Sequence, residues 1–142
     1  MTSSSILGDV VSAFDKMLVS LATRPGTYVG RPSIFLVSTY LDGYCHSRID
    51  LGMPDPMYGW GIWVLHRYLI WSPAWGWPRV LLHVYGTHLD ALAALPNLYK
   101  EFVSQCDSLN VEALEADLRR QLIDKYGRDY YAPEQTHTTD AP

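Results

Sequence analysis

Apolar residues recur at helical spacing along most of the chain, with polar residues between them. Ile6, Leu7, Val10, Val11, Phe14, Met17, Leu18 and Leu21 form the first stripe, interrupted by Asp9, Ser12, Asp15 and Lys16. It predicts a helix over residues 5–23, with the preceding serines as caps. Ile34, Val37, Leu41 and Tyr44, flanked by Phe35 and Tyr40, mark a second helix over 33–48. Arg48 falls in its last turn, where the dipole favours a cation, and Gly43 allows a close neighbour or an early stop. Residues 49–57, with Gly52, Pro54 and Pro56, read as a loop. From 58 to 71, Trp60, Trp63, Val64, Tyr68 and Trp71 share one helical face and Ile62, Leu65 and Leu69 another. A segment that long and apolar nearly all round predicts a central helix rather than a strand.

Pro73, Gly76 and Pro78 break that pattern, and Pro78 opens a short helix that Gly86 ends. Thr87, with Asp90 three residues on, predicts a capped helix to about 105 through Leu89, Leu92, Leu95, Tyr99, Phe102 and Val103; Pro96 inside it predicts a kink or a break. Asp107, Ser108 and Asn110 cap the last stripe, Val111, Leu114, Leu118 and Leu122, which Gly127 ends. Glu115 with Arg119 and Arg120 with Asp124 are its i,i+4 pairs. The pattern therefore predicts an all-α, single-domain bundle of five or six helices over residues 1–128, and a polar tail over 129–142 expected to be disordered.

The corner of that bundle is residues 24–33, Arg-Pro-Gly-Thr-Tyr-Val-Gly-Arg-Pro-Ser, where two prolines and two glycines predict an ordered elbow rather than continued helix. Pro25 presets a turn in which Gly26 can take positive φ, Gly30 suits a left-handed position, and Pro32 fits the first turn of the next helix. Arg24 can meet the last carbonyls of the first helix and Tyr28 can wedge between the first two helices, leaving Arg31 for a partner. Arg24 to Gly30 resembles the Arg-Pro-Gly-Met-Tyr-Ile-Gly segment of DNA gyrase B subunits and related ATPases. The next helix lacks their Glu and Asn, and no Asp-x-Gly follows, so an ATPase is not implied. The elbow, the Leu41-Asp42-Gly43-Tyr44 helix end, the Trp-rich helix and the acidic-apolar one together are similar to a group of small bacterial helical proteins. Some of these look like immunity proteins of polymorphic toxin systems. That resemblance implies a helical fold and a cognate toxin as partner.

Composition narrows the function further. Apolar residues at 48% and charged residues at 18% suit a packed core, and 142 residues can bury about two-thirds of the unfolded surface without staples. A net charge of −4 without a basic run argues against a phosphate-backbone binder and favours a basic protein partner. No positive charge precedes the first apolar residues, and that helix carries charges, so neither a signal nor a membrane span is expected. The cytoplasm is the expected compartment. Cys45 and Cys106, without a CxxC, read as buried reduced thiols.

Cys45 and His46 are adjacent rather than ligand-spaced, and His66, His83, His88 and Cys106 fall on separate elements, so no metal or other cofactor is expected. Cys45 with His66 or His83 could make a nucleophile–base pair only through the fold, and Glu112 with Glu115 reads more simply as a solvated face than as a carboxylate pair. No residue set specifies a reaction, and a non-enzyme is the expectation. The aromatic residues from Tyr58 to Trp77 are first core filling and second a recognition surface; sparse flanking charge disfavours a membrane role. Asp55, Tyr58, Trp75, Trp77, Glu112 and Glu115 are the candidate partner-binding residues of an immunity-type protein that occludes its toxin. The alternative is a small-molecule or nucleotide-binding helical domain without catalysis, using residues 24–33 as an anion site.

Overall fold

Seven α-helices and no strand form among residues 3–70, 76–105 and 108–129, which a computed structural model describes, with side chains from residue 12 onward. They are α1 (Ser3–Thr23), α2 (Pro25–Val29), α3 (Ile34–Asp50), α4 (Trp60–Tyr68), α5 (Trp77–Tyr85), α6 (His88–Gln105) and α7 (Val111–Tyr126). The all-α class is as expected; the count exceeds five or six because the elbow itself is helical. Pro25 occupies the first turn, where no N–H is required, and Gly26 takes helical rather than positive φ. Gly30, at φ 88°, ends α2 by donating its N–H to Gly26 O at 3.1 Å.

Other elbow positions also depart from expectation. Pro32 lies outside the next helix: Ser33 is its N-cap, with Oγ accepting the Leu36 N–H at 3.2 Å. Arg24 does meet the end of α1, its backbone N–H bonding Ser20 O at 2.9 Å, while its exposed side chain makes no cap of α2. Tyr28 stays exposed, its ring edge-on to Tyr40 of α3 at 6.2 Å, so it covers α3 rather than wedging beneath it. Gly43 does not end α3, and among the described residues no neighbour comes within 4 Å of where its Cβ would stand.

α6 runs unbroken through Pro96. A proline in mid-helix costs about 3 kcal/mol, but α6 presents Ala91, Leu92, Leu95, Leu98, Tyr99 and Phe102 to the core on both sides of it. Packing decides the outcome. Phe14, Leu18 and Leu21 of α1, which lies along α6, close one side of that core. At its centre Trp60 packs against Trp63, Tyr99 and Phe102 at ring separations of 5.5, 6.1 and 5.6 Å, so Trp60 and Trp63 fill the core. Trp71 and Trp75 lie outside the described residues, as do Cys106 and the tail from residue 130.

The last helix is held by a mixed seam. Asn110 caps α7 by accepting the Ala113 N–H at 3.1 Å, and Leu118 and Leu122 bury against the rest. Asp117 accepts from His66 Nε2 of α4 at 2.7 Å, from Gln121 Nε2 at 2.6 Å and from Arg120 at 2.5 Å. Lys125 and Tyr126 donate to the carbonyl of Leu69, the residue at φ 51° that ends α4. Of the two helical ion pairs read from the sequence, Arg120–Asp124 forms at 3.7 Å, while Arg119 turns to Asp129.

The hydrogen bond from His66, then those from Arg120 and Gln121, hold the Asp117 carboxyl far below its ordinary 3.8. A depressed folded value means stability that is present above pH 4 and is lost as acid protonates the group. Asp117 is partly exposed, so solvent screens part of the effect. Asp117→Asn is expected to lower the urea midpoint at pH 7 and to flatten its fall between pH 5 and pH 2. An unchanged acid profile would remove this seam as a support of α7.

Candidate functional site

Asp42, Cys45, His46 and Ile49 fall at i, i+3, i+4 and i+7 along α3 and so share one flank of the helix. Beyond Asp50 the chain turns back. Gly52 N–H bonds Ile49 O and Met53 N–H bonds Arg48 O, each at 2.9 Å, which folds the loop beside the helix end it left. Asp55 then makes an Asx turn, Oδ1 accepting the Met57 N–H at 2.9 Å, and Tyr99 of α6 donates its hydroxyl to Pro56 O at 2.8 Å. The loop is thereby fixed at two points. Trp60 N–H bonds Met57 O at 3.0 Å as α4 begins.

Trp77, the first residue of α5, closes the opposite side with its ring edge-on to Trp60 at 5.7 Å and 78°. Between these walls lies a cavity of about 460 Å³ that the four α3 residues, Asp55 and Trp77 help to line. Around it the chain exposes large apolar groups: Ile49, Leu51 and Met53 at the end of α3, and Tyr58 in the turn before α4. Leu51 at 77% and Tyr58 at 69% are too open to serve the core.

Burial, the neighbouring Asp55 and Asp42 charges and a hydrogen bond to the Asp55 carboxylate push the Cys45 thiol up to about 12. A thiol so held stays protonated at neutral pH and is a poor nucleophile. His66 is engaged by Asp117, and His88 Nδ1 accepts the Ile34 N–H at 3.1 Å, joining the start of α6 to the start of α3. Among the described residues no group of three His, Cys, Asp or Glu side chains could hold a metal ion, and no helix is long and apolar enough to cross a membrane.

Of the residues singled out by sequence, Asp55 and Trp77 meet in the cavity and Tyr58 stands in the turn beside it. Glu112 and Glu115 are exposed on α7 and do not line it. Trp75 lies outside the described residues. Asp42 and His46 were not singled out for binding, although the 42/45/46/49 spacing already groups them on one helical flank. No protein-family model, no characterised protein and no solved structure matches the chain.

Proposed function

We propose that the chain is an immunity-type protein that binds a cognate bacterial toxin and neutralises it by covering its active surface. The observation that carries this reading is the cavity with Asp55 and Trp77 in its walls and exposed Ile49, Leu51, Met53 and Tyr58 around it. These apolar and aromatic side chains are wetted in the free chain, and a partner that desolvated them would gain the kind of buried anchor that carries most binding energy. The net charge of −4 favours encounter with a basic partner, and the sequence resemblance supplies the toxin class. The mechanism is occlusion, and no catalytic step is assigned to the chain.

Co-expression with the protein encoded beside it tests this. Restored growth and a stoichiometric complex that weakens with salt are the expected results. Leu51→Ala with Tyr58→Ala is expected to weaken the complex about 30-fold or more, through faster dissociation, because truncating a hot-spot residue costs about 2 kcal/mol. Reversing Glu112 and Glu115 is expected to slow association instead. No rescue and no complex would end the immunity reading.

The cavity volume also favours a small-molecule site, since ligand pockets run from about 300 to 1,000 Å³. Its acidic walls suit a cation better than a nucleotide. The elbow is a weak anion site, because α2 has only five residues.

A further inference from the structure

The cavity carries negative charge that the chain itself does not neutralise. Asp42 stands on its α3 wall and Asp55 on its loop wall, yet none of the eleven lysines and arginines lines it. Among the described residues, neither carboxylate has an ion-pair partner. Walls that displace water strengthen the pull of such carboxylates on an entering cation. Asp55 is also pre-oriented: the Met57 N–H donates to its Oδ1 at 2.9 Å, and a carboxylate keeps acceptor capacity beyond that one donor.

The remaining lining has the same preference. Indole attracts cations more strongly than the other aromatic side chains, and the half-buried Trp77 belongs to the walls; Trp60 behind it is sealed by its own ring contacts. Ile49 and Met57 supply apolar surface for the stem on which a basic group is carried. His46 adds one imidazole, and the Cys45 thiol stays uncharged.

We propose that this cavity is a receptor for one organic cation with N–H donors, a guanidinium or primary ammonium group on an apolar stem, delivered as an arginine or lysine side chain of the bound toxin. The source of that group rests on the function proposed above; the chemistry of the cavity does not. Bidentate donation from a guanidinium to Asp55, with Asp42 adding longer-range attraction, is the arrangement expected.

The test is a titration of the full chain with Nα-acetylarginine amide, followed by the indole N–H signals of its ¹H–¹⁵N spectrum. Saturable shifts with a dissociation constant on the order of 1 mM are expected. The uncharged Nα-acetylglutamine amide should bind about tenfold more weakly, and Asp55→Asn should lose about tenfold. Asp42→Asn, an exposed helical substitution that leaves the fold intact, should lose about threefold. Absence of saturation, equal binding of the two amides, or unchanged affinity in both folded variants would overturn the inference. Protection from the toxin without arginine-amide binding would sink the cation site and leave the immunity reading standing. Carboxylate-dependent amide binding without protection would remove the toxin as source and leave a site for a free small cation.

Discussion

Trp60→Ala is expected to lower the free energy of unfolding by about 3–5 kcal/mol, a large share of the roughly 5–15 kcal/mol available to a domain of this size. Trp60 is 1% exposed and touches Trp63, Trp77, Tyr99 and Phe102, so no neighbour can fill the volume without leaving its own contacts. Urea unfolding followed by far-ultraviolet circular dichroism reads the loss without relying on tryptophan emission. A cost below about 1 kcal/mol would mean that the aromatic cluster is not the centre of the core.

The phenylalanine variants make a finer comparison. The Trp60 Nε1–H is buried and has no hydrogen-bond partner among the described residues, whereas Trp63 Nε1 donates to Gln105 Oε1 at 2.9 Å. A buried unsatisfied donor costs about 1–3 kcal/mol, and a made hydrogen bond contributes about 1 kcal/mol net. Trp60→Phe therefore trades lost volume against relief of an unmet donor, while Trp63→Phe loses both volume and a bond. Trp60→Phe is expected to be the milder change although Trp60 is the more buried residue. The reverse order would show that the lost volume outweighs the relief.

Much of this core is written in local periodicity. The stripes Phe14–Leu18–Leu21, Ile34–Val37–Leu41 and Leu118–Leu122 are buried where helical spacing puts them, because each helix is long enough for its apolar face to dominate. α2 was not legible for the opposite reason. Five residues carry no period, and Pro25 and Gly26 look the same at the start of a helix as in a turn. Pro96 misled because its cost is local while the packing that outweighs it comes from other helices. The site divides in the same way: Asp42, Cys45, His46 and Ile49 form a stripe that a helical wheel shows, but the facing wall comes from Asp55, Trp60 and Trp77. No spacing within α3 says which later residues will meet it. Adjacency in sequence makes Cys45 and His46 poor metal ligands, yet the flank they share with Asp42 and Ile49 makes them one wall of a cavity.

Gly59→Ala is expected to cost about 2–5 kcal/mol, the sum of two separate effects. Gly59 caps α4 at φ 82°, where an L side chain adds about 1–2 kcal/mol of backbone strain. A Cβ there would also stand 2.9 Å from Val111 Cγ2 and 3.3 Å from Leu109 Cδ2, and overpacking of this kind adds about 1–3 kcal/mol. Val111 cannot swing clear, since a β-branched residue in a helix keeps one strongly preferred rotamer. Gly52→Ala isolates the first effect: its φ is 73° and no atom of the described residues lies within 4 Å of the added methyl, so about 1–2 kcal/mol is expected. Val111→Ala removes the clashing methyl, and in a double-mutant cycle it should recover about 1 kcal/mol of the Gly59→Ala loss. Equal losses at Gly59 and Gly52, with no coupling to Val111, would show that the turn does not rest on α7. Coupling would establish that the first turn of α7 holds in place the turn carrying Tyr58, and with it the rim of the cavity. Disturbing that contact should then weaken partner binding without touching a lining residue.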